Sequence, residues 1–238
     1  MQKDLGQLLA IAVRRSPGKP PERVAQAEAL AGRGLEHDLH ADPISPRQLL
    51  LAGAPAYAGL ALPPLALREN LLLDADTADL ASGTVLRIGD EVLLRLMFQC
   101  EACGSLDRHQ PGLARAIGRR RGVLARVLAG GRIRAGDRVL DLGPRLPPWP
   151  EDWRERVRRV LDALPPGRVL AYARLAHLAG IAGSYCRAFP RAIASFGPAY
   201  AGKAVPASAP STLPRWDGAE LFGDEGRSGQ VATRGRPR

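Results

Sequence analysis

A proline-rich segment at residues 144–150 divides this chain into two parts whose apolar residues follow different periods. The adjacent Pro147 and Pro148 remove backbone donors and fix φ, which is typical of a stiff linker. Before this segment, short apolar runs alternate with turn residues, and after it apolar residues recur at helical spacing. The sequence therefore predicts an α+β protein, with a sheet-rich N-terminal domain and a mainly α C-terminal domain.

The N-terminal part carries short strand patterns separated by turn signals. Gly89 and Asp90 lie between two of these runs and predict a hairpin. Such regularly spaced short strands favour a β-barrel or a folded sheet. Residues 49–67 carry no charge, but prolines and glycines interrupt them, so we expect a packed helix and a loop rather than a membrane span. The predicted strands cover residues 8–13, 84–88, 92–97, 124–128 and 138–142.

The C-terminal part begins with an apolar helical stripe that runs from Trp153 to Leu164. Two further short helical patterns, at residues 170–180 and 184–196, are joined by a glycine-containing turn, which is the outline of a helix-turn-helix. The predicted organisation is a first domain at 1–144, a linker at 145–150, a second domain at 151–226 and a basic disordered tail at 227–238.

The net charge of +10 is concentrated in the shorter C-terminal part of the chain. Residues 1–149 carry 20 basic and 16 acidic side chains, whereas residues 150–238 carry 14 and 8. Attraction to a nucleic acid, if it occurs, is therefore expected mainly in the second part. Three cysteines are too few for a disulfide framework and no secretory segment opens the chain, so we expect reduced thiols and a cytoplasmic protein.

Cys100 and Cys103 form the sharpest chemical feature, because two thiols three residues apart follow a predicted strand and can be exposed by a loop. A zinc site would need two more ligands, and the four histidines form no paired motif with metal-ligand spacing. The alternative is that both cysteines are buried and act as small apolar side chains.

Six short segments in the first part occur in the order and approximate spacing of the MOSC domain, named for the C-terminus of molybdenum-cofactor sulfurase. The resemblance covers nearly all of residues 1–144. It differs at His37, where the family usually has glycine, so a left-handed backbone is less easily adopted there and the loop is expected to differ. The segments are Gly34 to His40, Arg47-Gln48, Arg68-Glu69-Asn70, Cys100 to Cys103, Arg120-Arg121-Gly122 and Gly131 to Asp137.

The resemblance implies a β-barrel with peripheral helices and a catalytic cysteine that carries a persulfide or ligates molybdenum. We assign this role and the metal to Cys103 in preference to Cys100. Arginines around the thiol would lower its pKa and bind the phosphate of a pterin cofactor. The alternatives are that each arginine is a solvated surface charge and that the polar residues only hold loops and strand edges. The candidates for cofactor binding are Arg47, Arg68, Asn70, Asp38, His40, Arg120 and Arg121.

The second part resembles the DNA-binding domain of methylated-DNA cysteine methyltransferases and alkyltransferase-like proteins over about residues 150–226, which implies a winged-helix-like fold. The resemblance implies three DNA-binding residues, Tyr172, Ser184 and Arg187. In that family, the residues that match Tyr172 and Arg187 help rotate a damaged guanine out of the duplex. The alternatives place the Tyr172 ring in the helical core and leave Arg187 as an exposed helix charge. The acceptor cysteine is replaced within residues 206–209, so this is not an active DNA alkyltransferase. Pro190 would kink the second helical pattern or start a new helix.

Together the resemblances imply a MOSC protein that binds molybdenum cofactor or persulfide sulfur, acting as a molybdenum-dependent oxidoreductase or a sulfur transferase. A reaction that fits is the reduction of N-hydroxylated compounds such as modified purines. The expected partners are a pterin cofactor or small-molecule substrate and double-stranded DNA, with no membrane. The alternatives are a non-enzymatic sensor of alkylated DNA, and a sulfur carrier whose C-terminal domain docks a protein partner.

Overall fold

The computed structural model describes residues 2–223 of the chain, which divide into two units. The first unit comprises residues 2–43 and 47–149, and the second comprises residues 44–46 and 150–223. The basic tail predicted for residues 227–238 lies outside the described residues.

The first unit is built from strands that form where apolar runs end at turn residues. The hairpin predicted around Gly89 and Asp90 is present, and the strand predicted at residues 8–13 extends back to Lys3. The strands are β1 (Lys3–Val13), β2 (Glu22–Val24), β3 (Gln26–Leu30), β4 (Gly34–Leu35), β5 (Leu49–Gly53), β6 (Leu71–Leu73), β7 (Thr84–Ile88), β8 (Val92–Gln99), β9 (Val123–Ala129), β10 (Gly131–Arg134) and β11 (Arg138–Pro144).

Seven of these strands close into a barrel in the order β11-β7-β8-β9-β5-β6-β1, and pairing of β1 with β11 completes the ring. The barrel is mixed, because β5 and β6 run parallel while the other neighbours in the ring run antiparallel. β2 extends the sheet beside β1, and β10, β3 and β4 form a separate sheet. The predicted N-terminal barrel is therefore confirmed.

The barrel interior is aliphatic, as the low aromatic content requires. Leu8, Leu51, Leu71, Leu94 and Val127 are all at most 1% exposed and belong to one packed cluster. A second apolar cluster lies where two short helices, α1 (Ala54–Leu60) and α2 (Leu113–Ile117), and the 3-10 turn Leu106–Arg108 cover the barrel wall. These are the expected peripheral helices.

The uncharged stretch at residues 49–67, predicted as a packed helix and a loop, also contains a strand, because its first five residues form β5. Every residue of β5 is buried, so its apolar run lacks the alternation that marks a half-exposed strand and resembles a buried helix. Only residues 54–60 of the uncharged stretch are helical. No helix within residues 2–223 has the length and apolar character needed to cross a bilayer.

The predicted linker at residues 145–150 is attached to the first unit as far as Trp149. The Arg95 guanidinium donates to the Pro147 carbonyl at 2.7 Å, and the Trp149 backbone N–H donates to Ser82 Oγ at 2.7 Å. Trp149 is itself 3% exposed. These contacts explain why the two units divide after Trp149.

The second unit contains three short helices, of which the first has a clear start signal. Asp152 accepts a hydrogen bond from the backbone N–H of Arg154 at 2.6 Å and so caps that helix. The helices are α3 (Trp153–Asp162), α4 (Tyr172–Leu178) and α5 (Phe189–Ser195), with β12 (Leu170–Ala171) and β13 (Ala204–Val205) beside them and 3-10 turns at Gly183–Ala188, Pro198–Tyr200 and Ala219–Phe222.

The helical pattern predicted at residues 184–196 is divided in the structure. Residues 184–188 belong to a 3-10 turn, and α5 begins at Phe189 with Pro190 in its first turn, where a missing N–H is tolerated. Pro190 therefore starts a new helix. Within the described part of the second unit, the strands and the Val169–Arg215 bridge pair in parallel, and no antiparallel hairpin forms a wing. The winged-helix arrangement stays a prediction.

Candidate functional site

The register of the barrel brings the ends of five strands together. Gln99, the last residue of β8, pairs with Val123 at the start of β9. Val123 also pairs with Leu51 of β5, which in turn pairs with Leu71 at the start of β6, and Leu71 pairs with Ile11 near the end of β1. Loops far apart in sequence therefore place their side chains around one end of the barrel.

A pocket of about 120 Å³ opens at this end. Three of its lining residues, Arg14, Leu50 and Leu124, could not be predicted from the sequence, because no motif marks them. Arg14 directly follows β1, while Leu50 and Leu124 belong to paired strands, so only the register places them here. The predicted residues that line the pocket are His40, Arg47, Arg68, Asn70, Cys100 and Arg121.

Four arginines make the pocket strongly positive. Burial and the charge of Arg68 lower the pKa of Arg14, and Arg121 adds to this effect while Asp38 opposes it. The Nε atoms of Arg14 and Arg121 are buried and have no hydrogen-bond partner, and the Arg68 guanidinium makes no hydrogen bond or ion pair within residues 2–223. Buried N–H donors without partners are costly, and the concentration of positive charge in this pocket favours an anion.

Asp38 acts as an anchor beneath this pocket rather than as a group that faces it. Its side chain is 0% exposed and accepts the backbone N–H groups of Arg14 and His40 at 2.8 Å each and Asn70 Nδ2 at 2.9 Å. Burial raises the pKa of Asp38, but the hydrogen bonds from the His40 ring and from these two backbone amides outweigh it, so the pKa lies below its ordinary value. The carboxylate thereby fixes the positions of Arg14 and His40.

The His40 ring lies between Asp38 and Arg14. Its Nδ1 is 3.2 Å from Asp38 Oδ1, and its Nε2 is 3.3 Å from Arg14 Nη1. A guanidinium can only donate, so we assign the proton of the neutral ring to Nδ1 and the accepting lone pair to Nε2. The Nε2 lone pair is therefore engaged by the Arg14 guanidinium.

Asn70 connects strands rather than offering its amide to a ligand. Its Oδ1 accepts the Leu50 N–H at 3.0 Å, and its Nδ2 donates to the Ala12 carbonyl at 3.2 Å as well as to Asp38. Both amide hydrogens are therefore used within the protein. This geometry favours the structural interpretation of Asn70 over direct cofactor contact.

The buried carboxylate of Glu69 accepts a hydrogen bond from a tyrosine and does not face the pocket arginines as a free anion. Tyr57 Oη donates to Glu69 Oε2 at 2.6 Å and accepts from the Leu67 N–H at 3.2 Å. Burial and the neighbouring Glu69 raise the pKa of Tyr57. Arg121 Nη1 donates to the carbonyl of Leu67, which holds Arg121 beside this pair. Within residues 2–223, Glu69 makes no ion pair with Arg14, Arg68 or Arg121, so its carboxylate does not neutralise these three guanidinium groups through an ion pair.

Two non-glycine residues near the site adopt a left-handed backbone. Arg68 has φ +55° and His37 has φ +63°. The loop at His37 thus has the left-handed backbone that a glycine would favour. This contradicts the expectation that histidine at this position changes the loop conformation. At Arg68 the Nη2 of Arg14 donates to the carbonyl at 3.3 Å, and a left-handed residue of this kind costs about 1 kcal/mol that other contacts must offset.

The two cysteines lie in different environments. Cys100 is 5% exposed and lines the pocket, with Arg47 Nη2 3.7 Å from its Sγ. Cys103 is exposed, outside the pocket lining, and its Sγ is 2.8 Å from Ser105 Oγ. Partial burial raises the pKa of Cys103, but the hydrogen bonds of Ser105 and the charges of Arg121 and Arg47 outweigh it, so the pKa is lowered. The pocket thiol is therefore Cys100, whereas the sequence favoured Cys103.

Arg120 does not line the pocket. Its Nη2 donates to the carbonyl of Ala116 at 3.1 Å, so it closes a helical turn while the next residue, Arg121, faces the site. Within residues 2–223, no group of three or more His, Cys, Asp or Glu side chains could hold a metal ion. A metal bound through Cys103 or Cys100 would therefore need further ligands from a cofactor.

The DNA-binding candidates of the second unit are divided between its core and its surface. The Tyr172 ring packs edge-on against Phe189 with centroids 5.6 Å apart, and burial raises the pKa of Tyr172. This packing agrees with the alternative that the ring belongs to the helical core. Ser184 and Arg187 are both exposed on the 3-10 turn before α5.

The family model of the MOSC domain matches residues 46–140 of this chain. No curated protein sequence matches the chain. The YuaD protein from Bacillus subtilis is similar in structure, with 17% identity, a TM-score of 0.52 and coverage of 59% of this chain and 98% of that one. A hypothetical protein of known structure has 19% identity, a TM-score of 0.50 and coverage of 82% and 93%. YiiM from Escherichia coli has 19% identity, a TM-score of 0.47 and coverage of 80% and 94%. The first two similarities support the fold alone.

Proposed function

We propose that the first unit binds a phosphate-bearing pterin cofactor in the arginine pocket and holds molybdenum or sulfane sulfur on its cysteine thiols. The observation that carries this proposal is the convergence of Arg14, Arg68 and Arg121 on a pocket whose wall includes the Cys100 thiol. Guanidinium groups match the oxygens of a phosphate, and a thiolate is a soft ligand for molybdenum or sulfur.

The donor set fits such a cofactor in charge and in ligand type. Arg14, Arg68 and Arg121 would hold the phosphate, and Cys100 would present its sulfur, which lies 3.7 Å from Arg47 Nη2. When bound, molybdenum would supply two-electron redox chemistry. The protein itself would exclude competing cations, because the pocket is positively charged, and would fix the position of the Cys100 thiol, because that side chain is buried.

The reaction class we propose is reduction of N-hydroxylated compounds, including modified purines, on the basis of the MOSC resemblance. Cleavage of an N–O bond to an amine and water consumes two electrons and two protons. His40, oriented by Asp38, lines the pocket, and release of its Nε2 from the Arg14 hydrogen bond would free that atom to take up a proton. We therefore assign His40 the role of a proton-carrying group and leave anion binding to the arginines.

The test is elemental analysis of the purified full-length protein. We expect about one atom of molybdenum or cyanide-labile sulfur per chain, and loss of most of it in Cys100→Ala. Cys186→Ala is the matched control, because Cys186 lies in the second unit, and it should retain the wild-type content. Absence of both elements from wild-type protein isolated from cells that make the cofactor would contradict the proposal.

The exposure of Ser184 and Arg187 supports a second candidate function, binding of duplex DNA by the second unit. We expect Arg187→Ala to weaken binding to an alkylated duplex by about tenfold, measured by fluorescence anisotropy at fixed salt. Arg158→Ala is the control, because Arg158 is also half-exposed but is paired with Glu155 at 2.6 Å. Equal losses on plain and alkylated duplexes would indicate charge attraction alone. No binding at low salt would favour the protein-docking alternative.

A further inference from the structure

We propose that Cys103 and Cys100 form a two-thiol relay, in which Cys103 accepts sulfane sulfur from an external persulfide and passes it to Cys100 inside the pocket. The inference rests on the proposed function, in that it takes the pocket thiol to be a sulfur carrier. It adds an acceptor site on the surface, a direction of transfer and a class of donor.

The relay follows from where the two thiols lie. Cys100 is 5% exposed and is held at the end of β8 by its backbone N–H, which donates to the Gly122 carbonyl at 2.8 Å. A macromolecular donor cannot easily reach a thiol so enclosed. Cys103 is exposed and lies three residues further along, in a turn where its carbonyl accepts the Leu106 N–H at 3.0 Å. Three residues span at most about 11 Å, so the two thiols are close along the chain, and transfer requires the exposed turn to bring the sulfurs into contact.

The surroundings of each thiol suit its step. Ser105 Oγ lies 2.8 Å from Cys103 Sγ and can donate to it, which favours the thiolate that attacks a donor. Arg47 Nη2 lies 3.7 Å from Cys100 Sγ, so negative charge on a sulfur held there is stabilised. The charges of Arg121 and Arg47 also lower the pKa of Cys103, so the positive charge of the pocket reaches the exposed thiol as well. Sulfur therefore moves from an exposed anion towards a more enclosed positive site.

The chemistry balances without an oxidant or a reductant. The Cys103 thiolate attacks the outer sulfur of a persulfide donor, R–S–SH, so that the donor leaves as the thiolate R–S⁻ and Cys103 becomes Cys–S–SH. The Cys100 thiol then attacks the outer sulfur of that group and gives up its proton. One S–S bond forms as the other breaks, Cys103 recovers a proton, and Cys100 becomes the persulfide.

A competing outcome is attack of Cys100 on the inner sulfur of Cys103. That path releases hydrogen sulfide and leaves a disulfide between the two cysteines. The relay and this path give products of different mass, because the relay adds one sulfur atom and the disulfide removes two hydrogen atoms. Mass spectrometry can distinguish these products, because trypsin releases both cysteines in one peptide, residues 96–108. Fragment ions that break the peptide at Glu101 or Ala102 then assign the added sulfur to one cysteine or the other.

The test uses reduced full-length protein mixed with glutathione persulfide, alkylated at intervals, digested and analysed by mass spectrometry. In the wild-type protein we expect extra sulfur on Cys103 first and on Cys100 later. Cys100→Ala should keep the sulfur on Cys103. Cys103→Ser should load Cys100 at least about tenfold more slowly, because the remaining thiol is enclosed. Cys186, on a separate peptide, reports unspecific labelling.

Two results would overturn the relay. One is that Cys103→Ser loads Cys100 as fast as wild type does, in which case Cys100 takes sulfur directly and the sulfur-carrier function stands. The other is that wild type forms the disulfide and releases sulfide without sulfur on Cys100. A failure of the proposed function looks different, because neither cysteine would then retain sulfur beyond the level of Cys186 in any of the three proteins.

Discussion

Replacing Arg14 with glutamine is expected to weaken binding of sulfate to the full-length protein by about 30-fold, or about 2 kcal/mol, because a charge-assisted contact is lost. Arg14 is one of the two pocket arginines whose buried Nε–H lacks a partner, and its positive charge is disfavoured first by burial and then by Arg68. An anion bound in the pocket therefore relieves the repulsion between Arg14 and the neighbouring guanidinium groups. Sulfate is the probe because it remains a dianion across the working pH range. The measurement is isothermal titration calorimetry at constant ionic strength.

The neighbouring Arg15 supplies a matched control. Arg15 is exposed, forms an ion pair with Glu22 at 3.5 Å and lines a different cavity. Arg15→Gln removes the same charge one residue away, so long-range attraction changes almost equally while the pocket stays intact. We expect at most about a twofold effect for Arg15→Gln. Similar losses in the two variants would show that sulfate responds to overall charge, and the pocket would no longer be assigned as an anion site.

Replacing Asp38 with asparagine is expected to lower the free energy of unfolding by about 3 kcal/mol at pH 7. The wholly buried carboxylate accepts hydrogen bonds from two backbone amides and from Asn70, and an amide at this position presents hydrogens to some of these donors. Urea denaturation followed by far-UV circular dichroism measures the loss. Asp90→Asn, at an exposed hairpin turn, is the control and should change the free energy by less than about 0.5 kcal/mol.

The same variant carries a pH signature. The pKa of Asp38 in the folded protein lies below its ordinary value, so protons bind this carboxyl more tightly in the unfolded chain, where the pKa is about 3.9. Its stabilising contribution is therefore complete above about pH 5 and is lost as the pH falls through the folded pKa. The difference between wild type and Asp38→Asn should shrink on acidification below pH 4. A difference that stays constant from pH 7 to pH 3 would contradict this account.

Much of the barrel could be predicted because its signals are local. The hairpin at Gly89 and Asp90 depends on two turn residues and the strands that flank them, and it forms as expected. β5 could not be recognised, because a fully buried strand lacks alternation and Leu49 to Gly53 match a buried helix equally well. In the second unit, Pro190 indicated a helix boundary, and α5 does begin beside it.

The candidate site was only partly accessible to sequence reasoning. The MOSC resemblance pointed to six residues that line the pocket, but it named Cys103 before Cys100 and did not separate Arg120 from Arg121. Arg14 has no motif, since it is one of two adjacent arginines after a strand. In each of these pairs, which member faces the pocket depends on the direction of the backbone at the end of a strand, and composition carries no such information.

The sequence by itself determined that the chain would form a strand-rich part and a helical part, that two thiols would follow a strand, and that positive charge would exceed negative charge. These are properties of neighbouring residues, so hydrophobic period, turn chemistry and counting reveal them. Only the tertiary structure decided that Arg14, Arg68 and Arg121 line one pocket with Cys100, and that Arg120 lies outside it. That choice required closure of the barrel, because the register between strands sets which distant side chains share one end.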